Sequence, residues 1–252
     1  MLLGRLVFGV ARSPRAACYA TPTARSSLPA ARLSLPQEYR ARLARLDAAS
    51  LADASKSSPG TLPRVRSLAP HLAPRHTLGN GLRLVGRALT VSCDGDDFHA
   101  MIQALRSEPP PGTVLVVRGP RELACAGELF TAECRRLGLS GLVVDGAVRD
   151  TESVRRLELP VYSHKVNPSA GTNERLGIIG EPVVIGQKHA EVRVETGDIL
   201  VGDDDGVIVI HLDGMEASPS LNCLLDRAET IQSHERRVLE RVLSGEPLLD
   251  CF

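Results

Sequence analysis

Hydrophobic spacing divides the chain into helical and strand periods from Pro36 onward. In "QEYRARLARLDAASLADAS", Tyr39, Leu43, Leu46 and Leu51 recur every three to five positions, which predicts a helix. "SKSSPGTLP" ends it with a Pro-Gly breaker, and residues 64–80 carry no clear pattern. "LRLVGRALTVSC" (Leu82–Cys93) alternates like a strand with a glycine at its middle. "DDFHAMIQALRSE" predicts a helix capped by Asp96 or Asp97, with Phe98, Ile102 and Leu105 on one face and "PPPG" as its stop.

The next stretch is the informative one. "TVLVVRG" (Thr113–Gly119) is a short unbroken apolar run, as expected of a strand covered on both faces. "GELFTAECRRLG" returns to helical spacing through Leu129, Phe130, Cys134 and Leu137. Arg135 and Arg136 lie in its last turn and Gly138 is its stop. "GLVVDG" is a second buried strand, so the three segments form a β-α-β unit with parallel strands and a right-handed crossover. Downstream, "LPVYSH" reads as a short strand. "PVVIGQ" and "AEVRVETGDILVGDDDGVIVI" read as antiparallel strands turning at "ETGD" and "DDDG", with Asp205-Gly206 suited to a tight hairpin. Ser220–Leu243 predicts one helix, its apolar stripe made by Leu224, Leu225, Ala228, Ile231, Val238 and Val242. There is no internal repeat, and a single α/β domain over residues 38–252 accounts for the pattern.

Composition narrows the function classes. With 252 residues, 43% of them hydrophobic, the chain has material for a packed core. A formal net charge of +0 argues against non-specific nucleic-acid binding, and 3% aromatics without Trp argues against reading RNA by stacking. There is no run of 18 apolar residues, and hence no membrane-spanning segment is predicted. The six cysteines (Cys18, Cys93, Cys125, Cys134, Cys223 and Cys251) show neither a C-x-x-C pair nor metal-ligand spacing and read as free thiols. Residues 1–37 hold Arg5, Arg12, Arg15, Arg25 and Arg32 but no acid before Glu38. That pattern predicts an organellar transit peptide, mitochondrial in preference to plastid; a disordered tail is the other reading. A secretory signal fits less well, because Arg5 and Arg12 bracket too short an apolar run.

Candidate chemistry gathers at the strand ends. In parallel α/β sheets ligands sit outside the carboxyl ends of the strands. Here the loop after Val117 and the end of "GLVVDGAVRD" meet, and the helix starting near Gly127 points free N–H groups and its positive dipole end at the same crevice. Arg149 offers a planar fork for a carboxylate, and Asp150 a hard oxygen ligand for Mg²⁺ or Mn²⁺. Neighbours on a strand face opposite sides, so both serve one pocket only if the chain leaves the strand, a freedom that Gly146 supplies. On residue chemistry alone the pair reads either as such a pocket or as a surface ion pair. Asp145 reads as a turn former, Asp203-Asp204-Asp205 as a turn rather than a metal cluster, and His99, His164 and His189 as surface or network histidines. Cys125 reads as packed, although it stands close enough to the helix start to feel its dipole.

The segments "GELF…GLSGLVVDGAVRD…LPVYSH" and "TGDILVGDDDGVIVI" resemble the family of the regulator of ribonuclease activity A and the 4-hydroxy-4-methyl-2-oxoglutarate aldolases, from roughly Ala48 to Met215. The most specific feature is an acid, twenty intervening residues and then Arg-Asp, here Glu128 to Arg149–Asp150. The resemblance implies a three-layer β/β/α fold like swivelling phosphohistidine domains, assembled as trimers or hexamers. It implies a metal-dependent class II aldolase with oxaloacetate decarboxylation as side activity, a small oxo-acid substrate, and a Mg or Mn cofactor. By the same resemblance, the backbone of Gly127, Glu128, Leu129 and Phe130 cradles the pyruvyl group. Arg149 binds the substrate carboxylate and stabilises the enolate, Asp150 holds the metal, and Glu128 positions water or relays protons. There is one departure. The aldolases carry an acid after two residues beyond Arg-Asp, where this chain has Ser153, with Glu152 one residue early and about 100° away on a helix. The second reading is therefore a non-catalytic regulator that binds an RNA-processing enzyme.

Overall fold

In the computed structural model, residues 30–56, 62–68, 72–76, 79, 81–175, 177–186, 189–212 and 219–251 are described. The chain opens with a short helix α1 (Ala30–Leu33), then α2 (Gln37–Leu43) and α3 (Ala48–Lys56). The single helix expected after Pro36 is thus two. The periodicity of Leu43, Leu46 and Leu51 continues across the break because all three are buried, but Asp47 accepts the Ser50 amide at 2.6 Å and starts a new helix. Residues 64–80 are not featureless either: β1 (Arg64–Leu68) and the two-residue β2 (Ala73–Pro74) are the two ends of the main sheet. An end strand pairs on one side only, so its sequence carries little apolar signal.

Next come β3 (Leu84–Ser92), α4 (His99–Arg106), β4 (Thr113–Arg118), β5 (Ala124–Ala126), α5 (Glu128–Arg136) and β6 (Gly141–Val148). They are followed by α6 (Thr151–Arg156), β7 (Val161–Val166), β8 (Ile178–Ile179), β9 (Val183–Ile185), β10 (Val192–Val194), β11 (Ile199–Asp203), β12 (Gly206–His211) and α7 (Pro219–Leu243). The main sheet runs β1-β12-β11-β3-β4-β6-β7-β2, with β5 added beside β6 and β8 beside β3. Strands β3, β4, β6 and β7 are parallel, of which the apolar runs predicted the β4–β6 pair, and the flanking β1, β12 and β11 are antiparallel. The β11–β12 turn is Asp204-Asp205, one residue earlier than expected, since Asp203 pairs with Gly206.

Alternation along the strands sorts the core into layers. Leu89, Val91, Leu115, Val117, Leu142 and Val144 meet Met101 and Leu105 of α4 and Cys134 of α5. Val85, Ile199, Val201, Ile208 and Ile210 meet α2, α3 and α7. The opposite face, with Ala88, Val114, Val116, Val143, Leu200 and Val209, is covered by the small antiparallel β9–β10 sheet through Val183, Ile185, Val192 and Val194. The result is sheet, sheet and helices in three layers, the architecture the family resemblance implied. α7 buries Leu224, Leu225, Ala228 and Val238 of the predicted stripe, with Leu221 in addition. Residues 1–29 lie outside the described residues, and with them most of the expected transit peptide. Leu33 and Leu35 are buried, so packing reaches upstream of the boundary expected at residue 38.

Candidate functional site

The β4 and β6 strands lie side by side in register, Val117 opposite Val144 and Arg118 opposite Asp145. The pairing of β6 with β7 then shifts between Val144 and Ala147. Gly146 sits in that irregularity, where a Cβ would come 2.5 Å from the Pro120 carbonyl oxygen. The strand does not end there, as the sequence suggested. It runs on to Val148 and acquires a new parallel neighbour, β5, which pairs Ala124 with Ala147 and Ala126 with Val148.

The reversal comes at Asp150, which adopts the left-handed conformation at φ 57° as α6 begins, a conformation Asp tolerates better than most side chains. The Arg149 amide donates to the Ala126 carbonyl at 2.9 Å, fixing the strand end to β5. Asp150 is thereby turned back over the start of α5. Its Oδ2 accepts the Glu128 amide at 3.2 Å and lies 3.5 Å from Arg149 Nε. Arg149 and Asp150 are both about two-fifths exposed, so the pair is open to solvent and to a ligand.

Gly127 precedes α5 in an extended conformation, and its missing side chain is what admits the pair. A Cβ there would run into the Asp150 carboxylate and stand 2.9 Å from Arg149 Cγ. At the first turn of α5 the Glu128 amide is taken by Asp150, while the Leu129 and Phe130 amides have no acceptor among the described residues. A cation fork, a carboxylate and two free N–H donors therefore converge on one spot.

That spot closes one end of a groove of about 590 Å³. Its walls are Phe98 and Ile102 of the α4 region and Phe130 of α5, the two phenyl rings meeting edge to face at 5.7 Å. β5 forms the floor, and Leu129 projects beside it with 80% of its surface exposed. The contribution of α4 was not read from the sequence. Phe98 and Ile102 look like core positions there, and only the packing of α4 beside α5 turns them into a wall. Asp97 holds that wall in place. It is buried, its Oδ1 accepts the His99 amide at 2.8 Å, and its Oδ2 accepts the Arg175 amide and the Thr172 hydroxyl at 3.0 and 2.9 Å. Asp97 thus caps α4 from one position ahead of the N-cap Phe98. Burial pushes its carboxyl up, but the donated hydrogen bonds outweigh this and hold it below the ordinary carboxylate range.

The other candidates fall elsewhere. Asp145 is no turn former: it lies inside β6, buried, with Oδ2 accepting the Gly186 amide at 3.0 Å, and so ties the small sheet to the large one. Asp203 pairs with Arg83 at 2.9 Å and accepts the Ala48 amide, while Asp204 accepts the Gly79 amide, so the acidic run is a hydrogen-bonded turn. His99, His164 and His189 do not line the groove. Cys125 is buried with its thiol pushed far up by desolvation, so the helix dipole does not make it reactive. Glu152 pairs along α6 with Arg156 and is exposed, which directs it away from Asp150.

A divalent metal fits this donor set. No cluster of three or more His, Cys, Asp or Glu occurs among the described residues. Asp150 nevertheless has a second carboxylate oxygen without a protein partner in the described residues, open to solvent. That suits Mg²⁺, which keeps several waters and takes few protein ligands.

A family model described as RraA-like, Aldolase/RraA, matches residues 48–209. An uncharacterized protein of Methanocaldococcus jannaschii is 34% identical over 177 residues, covering 69% of this chain and 80% of its own. A putative 4-hydroxy-4-methyl-2-oxoglutarate aldolase of Halalkalibacterium halodurans is 31% identical over 170 residues, 67% of this chain and 78% of its own. Among solved structures, the RNA-processing inhibitor RraA of Thermus thermophilus superposes with a TM-score of 0.53 at 26% identity, covering 63% of this chain and 90% of its own. With the matched region spanning the β-α-β unit, Gly127 and the Arg149–Asp150 pair alike, the chain belongs to the RraA-like family of aldolases and ribonuclease regulators.

Proposed function

We propose that the chain is a divalent-metal-dependent lyase that cleaves 4-hydroxy-4-methyl-2-oxoglutarate or a related 4-hydroxy-2-oxo acid to pyruvate, and that also decarboxylates oxaloacetate. The observation that carries this is the convergence of the Arg149 guanidinium, the Asp150 carboxylate and the α5 amides at the space vacated by Gly127. Asp150 would hold the metal, Mg²⁺ or Mn²⁺, which supplies Lewis-acid polarisation of the 2-oxo group. Arg149 binds the substrate C1 carboxylate through its planar fork. The free amides of Leu129 and Phe130 take oxygen density at the positive end of α5. Cleavage breaks the C3–C4 bond. The electron pair stays on the three-carbon fragment as an enolate, and the C4 hydroxyl loses its proton as it becomes a carbonyl. Glu128, at the first position of α5, is placed to relay that proton and return one to C3. Loss of CO₂ from oxaloacetate gives the same enolate.

The apolar wall and exposed Leu129 suit an assembly in which a second copy covers the groove, in line with a homotrimer or hexamer. The arginine-rich, acid-free residues 1–37 support mitochondrial targeting. A second reading, a regulator that docks on an RNA-processing enzyme, is favoured by one observation: Glu152 is engaged with Arg156 and does not replace the acid missing at Ser153. Pyruvate release from both substrates, measured with Mg²⁺, with Mn²⁺ and with chelator, separates the two. Metal-dependent turnover lost in Arg149→Ala and Asp150→Ala supports the lyase, and no turnover by the folded protein with metal refutes it.

A further inference from the structure

The groove beside the Arg149–Asp150 pair is larger than that pair needs. At about 590 Å³ it falls among sites that take drug-sized ligands, roughly 300–1,000 Å³, and a short dicarboxylate fills little of it. Helical spacing gives the groove its length. Phe98, Ile102 and Leu105 line it in succession along α4, and Leu129, Phe130 and Glu133 along α5. The two helices begin at the same end, where Phe98 meets Phe130. The groove therefore leads away from Gly127 between apolar walls, over a floor that includes Ala124 and Ala126.

Charge is confined to its ends. Among the described residues that line it, the cations are Arg149 at the Gly127 end and Arg106 and Arg136 in the last turns of α4 and α5. Arg136 is held by both oxygens of Glu133 at 2.7 Å. Arg106 lies about 12 Å along the axis from Phe98. At the Gly127 end, Arg149 is one cation beside the carboxylates of Asp150 and Glu128. A divalent ion on Asp150 leaves a single positive charge in excess there, which one substrate carboxylate balances. A second carboxylate next to it faces the Phe98 and Phe130 rings and Ile102, side chains with no hydrogen-bond donor, and burying an unpaired charge among them is costly.

We propose that this groove holds the C4 substituent of the substrate and that the substituent is apolar, an aryl or alkyl group, so that the chain takes 2-oxo acids with one carboxylate rather than two. The inference rests on the reading of the Arg149–Asp150 end as the oxo-acid site and names the substrate class for it. Ile102 is the specificity-determining residue: it is half-buried at the middle of the α4 wall, between the Phe98 ring and the end of the helix.

The test is calorimetric titration of the full chain with 4-phenyl-2-oxobutanoate and, separately, with 2-oxoglutarate, each with Mg²⁺ and with chelator. The two probes differ only in carrying phenyl or carboxylate on C4, and neither has the C4 hydroxyl that cleavage needs, so binding is read without turnover. The phenyl probe is expected to bind at least about tenfold tighter. Ile102→Arg, which places a cation on the wall, is expected to abolish or reverse that preference. Equal or tighter binding of 2-oxoglutarate overturns the proposal, and this is also the outcome if a second copy fills the groove. Binding of neither probe overturns it, as does a preference that survives Ile102→Arg in a protein of unchanged melting temperature. Pyruvate release from oxaloacetate by the same preparation separates the two readings. Turnover without the phenyl preference sinks the apolar substituent alone, and the preference without turnover sinks the lyase alone.

Discussion

The Asp150 carboxylate occupies the place that a β-carbon on residue 127 would need, so Gly127 and Asp150 are complementary shapes twenty-three positions apart. Gly127→Ala displaces the Asp150 and Arg149 side chains by a fraction of an ångström or more. Turnover of oxaloacetate should fall by about 100-fold, the scale expected for such a misplacement. Stability should fall by about 1 kcal/mol, since Gly is preferred over Ala at a helix N-cap. Steady-state kinetics beside a thermal melt checks both. Normal turnover in the Ala variant would detach this pair from the chemistry.

The backbone at Asp150 is left-handed, so its substitutions must respect that. Asp150→Asn keeps a residue that tolerates the conformation while removing the charge. We expect a folded protein with Mn²⁺ affinity lowered at least tenfold, read by electron paramagnetic resonance, and with turnover lost. Arg149→Lys keeps the charge but not the fork, and should raise KM for the oxo acid at least tenfold.

Ser153 and Glu152 make opposite predictions. Glu152→Gln removes a surface pair with Arg156 worth about 0.5 kcal/mol or less and should leave turnover unchanged. Ser153→Glu restores an acid one helical step onward and should raise the ratio of aldol cleavage to decarboxylation. An unchanged ratio, measured on the two substrates in parallel, would show that the acid is not what this chain lacks.

His76 gives the fold an acid-side sensitivity. It is buried, its ring stacks edge-on against Tyr162 at 5.1 Å, and Nδ1 lies 3.3 Å from the Val161 carbonyl. Burial lowers its pKa below the ordinary 6.5, with the Val161 bond opposing. The folded state therefore resists protonation that the unfolded chain accepts. His76 leaves stability untouched above pH 6.5 and reduces it as pH falls from there to the lowered folded-state pKa. Urea melts between pH 5 and 8 should show that slope, and His76→Gln should flatten it.

Leu33 and Leu35 are buried in the core although they lie within the expected leader. If residues 1–37 carry a targeting signal, cleavage must fall upstream of Leu33, which N-terminal sequencing of the mature protein would reveal. A chain starting at Glu38 should be less stable than one starting at Ala30 by about 3–5 kcal/mol, the burial of two leucines.

The sequence was most legible where an element is buried on both sides and bounded by glycine. β4, α5 and β6 follow from unbroken apolar runs and from Gly138, which adopts φ 71° beyond α5. It was least legible where pairing is one-sided. β1 reads Arg-Val-Arg-Ser-Leu and β2 contains a proline, so neither alternates strongly. Asp145 misled because a following glycine usually signals a turn; here the glycine marks a shift of register inside a continuing strand. The meeting of Arg149 and Asp150 was expected, but its cause was placed four residues early. A left-handed residue that is not glycine leaves no trace in hydrophobic pattern.

The register shift within β6 has a consequence for how the chain tolerates change. Every group at the Gly127 end of the groove comes from residues 124–150, one uninterrupted strand-helix-strand passage. Its working distances are set by residue count: the length of α5, the return through Gly138, and the phase change at Gly146. A single insertion in that passage would leave each neighbouring element able to form, yet rotate or slide Arg149 away from the α5 amides. The groove is thus vulnerable to changes in length, so single-residue deletions within residues 124–150 should silence it while the neighbouring elements still fold.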